Sequence, residues 1–142
     1  MRHDRPTLQS RALKRDCGGG GMAFTISGQV RGGKNNVNVT RTGHRYPDRS
    51  WALWRDRVVN DLLSIKGLGR YENPCKIEVK YWAGDRRKRD VPAMIDALWS
   101  CFEKAGIVRD DCQFTEVHWL PMGYSKQDPK VEVRIEEIHG RE

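Results

Sequence analysis

The sequence predicts an α/β domain of the α+β kind: a mixed, mostly antiparallel sheet with two main helices packed against it. Five short stretches, AFTISGQV, VNVTR, CKIEVKYW, QFTEVHWL and VEVRIEEI, alternate apolar and polar residues at the period of a strand. Two longer stretches, about 50–66 and 90–105, repeat apolar residues at helical spacing. With 142 residues in all, one domain is expected, burying about 65–70% of its unfolded surface.

Charge narrows the class of partner. Lys plus Arg number 26 against 19 Asp plus Glu, a net charge of +7, which says little about fold but favours a polyanion. No apolar run is long enough to span a bilayer. The basic N-terminus has no apolar h-region, so no secretory signal is read. Cys17, Cys75, Cys101 and Cys112 lie at scattered spacings without a C-x-x-C, which fits reduced thiols in a cytoplasmic setting better than a disulfide framework or a zinc site.

Taken in order, residues 1–21 lack sustained periodicity and end in four glycines. They read as a flexible basic N-terminal extension, with the folded domain at 22–142. AFTISGQV is a first strand with Phe24 and Ile26 on one face, and VNVTR is a second after the turn-rich RGGKNN. Arg31, Lys34, Arg41 and Arg45 around this hairpin could line a nucleic-acid path, or simply face solvent. Pro47, Asp48 and Ser50 supply helix-start chemistry, and Trp51, Trp54, Val58, Leu62 and Ile65 recur as a helical stripe. Tryptophans at that spacing read as core before they read as base-stacking groups. CKIEVKYW is expected as a central strand, with Ile77, Val79 and Tyr81 on one face and Lys76, Glu78, Lys80 and Trp82 on the other.

The second helix starts at about Asp90, a suitable N-cap, with Pro92 in the first turn, where its missing N–H costs least. Val91, Met94, Ile95, Leu98, Cys101, Phe102 and Ala105 form its apolar stripe, and Gly106 is a natural C′ residue. IVRDD turns the chain into QFTEVHWL, PMGYSKQDP is read as a loop, and VEVRIEEI is a final strand.

Chemistry concentrates in residues 85–113, DRRKRDVPAMIDALWSCFEKAGIVRDDCQ. Carboxylates stand at both ends of the helix, Asp90 at one and the pair Asp110-Asp111 at the other, with Arg86, Arg87, Lys88 and Arg89 beside Asp90. Acids gathered beside basic groups suit a hard divalent cation working on phosphate, since Mg²⁺ takes one or two carboxylates plus water and substrate oxygen. The plainer alternatives are a helix cap at Asp90 and an acidic turn at Asp110-Asp111. His118 falls within a strand and reads as structural, and no nucleophilic triad suggests itself.

From KIEVKYWAGDRRKRD through EKAGIVRDDCQ the chain resembles the RusA-type Holliday-junction resolvases, with a fainter likeness over roughly residues 22–138. The resemblance implies a metal-dependent endonuclease that cuts branched DNA at four-way junctions. It implies Mg²⁺ (or Mn²⁺) as cofactor, a homodimer, and a setting in recombination and repair in a bacterial or phage-infected cell. It also implies D-x-D-N-x-x-K after the basic run, whereas this chain has Asp90-Val91-Pro92-Ala93-Met94-Ile95-Asp96. Pro92 stands for the second aspartate, Ala93 for the asparagine and Asp96 for the lysine. Asp96 lies one turn beyond Pro92 on the same helical face, so it is expected to supply the missing carboxylate, the competing readings being a solvent-exposed helix acid or a site that has lost catalysis.

The expected metal set is therefore Asp90, Asp96, Asp110 and Asp111, with Asp90, Asp96 and Asp111 catalytic. DNA contact is expected from Arg86, Arg87, Lys88, Arg89, Lys34, Lys76 and Lys80, and more weakly from Lys126 and Lys130. The rival readings are a junction-binding protein that no longer cuts, and a basic RNA-binding module, for which no paired aromatic motif appears.

Overall fold

The computed structural model describes residues 21–31, 37–39, 41–47, 49–65 and 67–138. The proposed N-terminal extension and Lys34 lie outside the described residues, Gly21 excepted. Within them the elements run β1 (Met22–Ser27), β2 (Val37–Val39), β3 (Arg45–Pro47), α1 (Arg49–Leu63), β4 (Cys75–Ala83), α2 (Val91–Lys104), a 3-10 turn (Asp111–Gln113), β5 (Phe114–Tyr124) and β6 (Lys130–Glu137). The main sheet has the order β1-β6-β4-β5. Its β1–β6 and β6–β4 pairs are antiparallel and β4–β5 is parallel, so the sheet is mixed and mostly antiparallel, as the sequence predicts. A parallel pair requires a crossover, and α2 provides it.

Strand alternation sorts the sheet into two faces. Phe24, Ile26, Ile77, Val79, Tyr81, Val131, Val133 and Ile135 are buried on one side, where both helices pack. α1 contributes Trp54, Val58 and Leu62, and α2 contributes Met94, Leu98, Cys101 and Phe102. Phe102 meets Phe24 edge-on at 5.9 Å between ring centroids, and Trp99 lies 4.8 Å from Phe114. Trp99 is a buried member that the predicted stripe omits. No described element covers the other sheet face, which is built from charge. In the β4–β6 register Lys76 stands opposite Glu136, Glu78 opposite Arg134, and Lys80 opposite Glu132, complementary cross-strand pairs that stabilise a solvated face.

Two boundaries differ from expectation. Val37–Val39 joins no main-sheet strand; it pairs with Arg45–Pro47 in a separate two-stranded ribbon. Pro121–Tyr124, expected as loop, extends β5. β5 lies at the edge of the sheet, where a proline that lacks an N–H leaves no ladder bond broken on its open side. The register shift opposite Tyr81/Trp82 absorbs the irregularity.

Both ends of α2 are fixed locally. The Asp90 side chain accepts a hydrogen bond from the Ala93 N–H, and Pro92 occupies the first turn. At the other end Gly106 adopts φ +81, the Gly106 N–H donates to the Glu103 carbonyl, and the Ile107 N–H donates to the Phe102 carbonyl. These two bonds form a Schellman closure with a left-handed C′ residue. No heavy atom lies within 4 Å of where a Cβ on Gly106 would sit, so backbone conformation alone opposes a side chain there. Gly106→Ala is expected to lower unfolding stability by about 1 kcal/mol, with Gly106→Asn less affected because Asn tolerates the left-handed region. Denaturant melts of the two variants check this, and equal stability of Gly106→Ala and wild type would contradict it.

Candidate metal centre and nucleic-acid interface

The loop after α2 is held from several directions. The Tyr71 N–H donates to the Ile107 carbonyl (2.8 Å), and Gln113 Nε2 donates to the Tyr71 carbonyl (2.8 Å). Gln113 Oε1 accepts from the Arg109 and Asp110 N–H groups, while Asp110 Oδ1 accepts from the Cys112 N–H (2.9 Å). Asp110 and Gln113 thus form a reciprocal capping box around the 3-10 turn. The Asp111 N–H donates to Glu103 Oε2 (2.7 Å), tying the turn to the last turn of α2.

This bracing gathers negative charge. Carboxylate oxygens of Glu103, Asp110 and Asp111 lie within 4.8 Å of one another, all three residues being exposed. The Asp110 carboxyl is held below its ordinary range, first by the Cys112 backbone N–H. The Asp111 carboxyl is pushed above its own. Slight desolvation is the leading cause, followed by its hydrogen bond with Asp110 and the charges of Glu103, Asp110 and Asp96. Asp96 therefore lies within electrostatic reach of Asp111. The three carboxylates offer hard oxygen donors of the kind Mg²⁺ accepts, and each keeps an oxygen beyond those engaged by backbone N–H groups.

Asp90 does not join them. It caps the first turn of α2, whereas Glu103 lies in the last, about 20 Å further along the axis at helical rise. The sheet gives the same answer. Asp90 follows the C-terminal end of β4, and Asp111 precedes Phe114, which pairs with Cys75 at the start of β4. The expectation that both ends of the helix converge on one cation within a single chain is thus not met, because a whole rigid helix separates them. Glu103 occupies the place by Asp111 that had been expected for Asp90. Glu103 lies seven residues after Asp96, two turns along one helical face, but no sequence pattern signals that it meets Asp111.

The basic run also divides. Arg89 turns inward, pairing with Asp85 and donating to the Arg87 carbonyl. Burial works against its charge, but hydrogen bonds to Asp85 and Tyr81 hold it above its ordinary value. Asp85, drawn below the usual carboxylate range first by the Arg87 N–H, completes a local turn. Arg89 is thus engaged in shaping the loop, while Arg86, Arg87 and Lys88 remain exposed. Gln29, which the sequence did not single out, reinforces the loop's base: its Oε1 accepts from the Gly84 N–H and its Nε2 donates to Tyr81 Oη.

The other expected contacts are distributed elsewhere. Lys76 and Lys80 belong to the charge-paired open face of the sheet, and Lys130 pairs with Asp128 and Glu132. Arg31 donates to Ser50 Oγ, Arg41 is exposed, and Lys126 is exposed beyond β5. His118 is also exposed and lies 2.9 Å from Glu116. Burial pushes the Cys101 thiol up to about 12 and the Cys75 thiol up to about 11, so both are packing groups and not nucleophiles.

No protein-family model matches the chain. Over 65 residues it is 47% identical to the crossover junction endodeoxyribonuclease RusA of Aquifex aeolicus (strain VF5). The chain is RusA-like over that stretch. The match takes in 46% of this chain and 52% of the relative, so the chain spans about half the length of the curated relative it matches. No described helix is long and apolar enough to cross a membrane.

The strained Asp111 carboxyl yields a measurable consequence. Its raised value means that its contribution to stability is present below the unfolded-state value and is lost as pH rises through the folded-state value. Without divalent ions, Asp111→Asn is expected to raise the neutral-pH melting temperature by about 1–2 °C, the scale of one exposed like-charge contact. That gain should vanish on acidification. Mg²⁺ should raise the wild-type melting temperature more than the variant's. Equal responses to Mg²⁺ would remove Asp111 from cation binding.

Proposed function

We propose that the protein is a Mg²⁺-dependent endonuclease acting on branched DNA, in particular four-way junctions. The observation that carries this reading is the braced carboxylate cluster Glu103–Asp110–Asp111, with Asp96 close enough to raise Asp111. The similarity to a crossover junction endodeoxyribonuclease over 65 residues supports the choice of substrate. Glu103, Asp110 and Asp111 would hold the ion, with Asp96 supplying a further carboxylate in place of the one absent at Pro92. Bound there, a divalent ion neutralises the phosphodiester and makes a bound water more acidic. Arg87 and Lys88 would grip phosphates of the same strand as point charges, and Arg89 would set the shape of the loop that presents them.

Asp90 enters this reading through a second copy. β5 is an edge strand of 11 residues, and the two halves of the chemistry lie at its opposite ends. Asp110 and Asp111 precede its first residue, and the basic loop follows Ala83, the partner of its last residue, Tyr124. Two copies paired antiparallel along β5 would bring the acidic turn of each beside the basic loop and Asp90 of the other. Opposite charge favours that arrangement, as do the exposed Val117, Leu120 and Met122 on the strand. A homodimer would then carry two composite sites, suited to paired cuts across a junction.

A second reading rests on Pro92 and Ala93, which replace groups that the resemblance implies for catalysis: a protein that binds junctions without cutting them. Incubation of a synthetic four-way junction with Mg²⁺ separates the two, cleavage being expected. Asp111→Asn should lower the cleavage rate by two orders of magnitude or more, about the 3 kcal/mol of a lost transition-state contact. Asp90→Asn and Asp111→Asn, each inactive alone, should regain activity when mixed, because one site of the mixed dimer keeps both native acids. Binding without cleavage by the wild type would sink the nuclease reading, and no recovery on mixing would sink the composite site.

A further inference from the structure

Among the described residues, the last position of β5 carries an aromatic ring that is left partly exposed. Tyr124 is the last residue of the edge strand and is 44% exposed. Its ladder neighbour is Ala83, and Gly123 precedes it with no heavy atom within 4 Å of a Cβ position. No bulky group at these neighbours stands in the way of the ring. The Arg86 guanidinium lies over the ring, 5.1 Å from its centroid. Arg87 and Lys88 stand exposed beside it on the loop, and Lys126 is exposed two residues past the strand. A flat ring with a stacked guanidinium, set among unburied cations, matches the chemistry that holds unpaired nucleotides. The ring takes the base face, the guanidinium extends the stack, and the cations follow the backbone.

We propose that the Arg86–Tyr124 stack is a subsite for an unpaired base of a DNA strand, distinct from the phosphate grip of Arg87 and Lys88. The proposal rests on the branched-DNA reading above and adds to it a means of telling an opened strand from a closed duplex. In paired DNA the base faces are stacked on one another and are closed to the ring. At a branch point or fork a base can leave its stack, and the ring replaces the neighbour it has lost. The ring's own contact with a base releases no counterions, so Tyr124 contributes affinity without salt dependence, whereas the Arg86 guanidinium also carries a charge that draws the strand's phosphates.

The test uses the full chain with three probes: a single-stranded oligonucleotide, a four-way junction with 2-aminopurine at the branch point, and a perfectly paired duplex. The Tyr124→Ala variant is expected to bind the single strand on the order of tenfold more weakly, as loss of one stacked base predicts. Its slope of log K against log salt and its duplex affinity should be unchanged. Quenching of the 2-aminopurine should be lost in Tyr124→Ala and kept in Tyr124→Phe, which retains the ring. Arg86→Gln, in contrast, should weaken all three probes and reduce the salt slope.

Equal losses by Tyr124→Ala on single strand and duplex would overturn the subsite. A change in sedimentation of Tyr124→Ala without DNA would overturn it too, by assigning the ring to contact with a second copy. If wild type binds none of the probes, this inference and the branched-DNA reading fall together. If wild type binds the junction and Tyr124→Ala binds the single strand equally well, only the subsite falls.

Discussion

α2 lies on the sheet through Leu98, Cys101 and Phe102, all fully buried, and nearly everything about the chemistry follows from that contact. A helix sealed against a sheet by an edge-to-face Phe24–Phe102 pair cannot shorten, bend or slide without opening the core. Its 14 residues therefore act as a fixed spacer. They hold a cation-rich loop at one end and a carboxylate-rich turn at the other. The parallel β4–β5 pair imposes the same separation, since a crossover must return the chain to the end from which it set out.

At both ends the backbone is completed by the side chains that flank the chemistry. Asp90 satisfies an orphan N–H of α2, and Asp110 and Gln113 close the 3-10 turn on each other. Glu103 accepts from the Asp111 N–H. Negative charge is therefore concentrated by the same hydrogen bonds that order the turn. The cost appears in Asp111, whose carboxyl is held against its preference to lose a proton. Carboxylates crowded in this way repel one another, and a cation bound among them would relieve that repulsion.

Much of this was legible in the sequence, and the parts that were not share a physical reason. Alternation in CKIEVKYW and VEVRIEEI located the two inner strands, because a sheet with one covered face imposes a strict period of two. Asp90, Pro92 and Gly106 marked the ends of α2, because capping is local. Pro121–Tyr124 belongs to β5 and not to the expected loop, because the tolerance of an edge strand for proline depends on its place in the sheet order. Convergence of the acids depends on tertiary distance as well. Asp90 carries the right chemistry but sits one helix length from its expected partners, while Glu103, unremarkable on an amphipathic helix, is brought to Asp111 by a turn whose path the sequence does not reveal. Arg89 shows the same limit, since four adjacent basic residues look alike until one of them folds inward to Asp85.

The sheet face that no helix covers has a bearing on encounter with other molecules. Its lysines and arginine alternate with glutamates across β4 and β6, so their fields cancel within a short distance of the surface. Three exposed cations, Arg86, Arg87 and Lys88, sit together in the loop after β4. A large anion diffusing toward this molecule would find one broad side electrically silent and one end attractive. Its long axis would be turned toward that end well before any atoms touched, so the pairing of charges on a remote surface helps to decide the angle of approach.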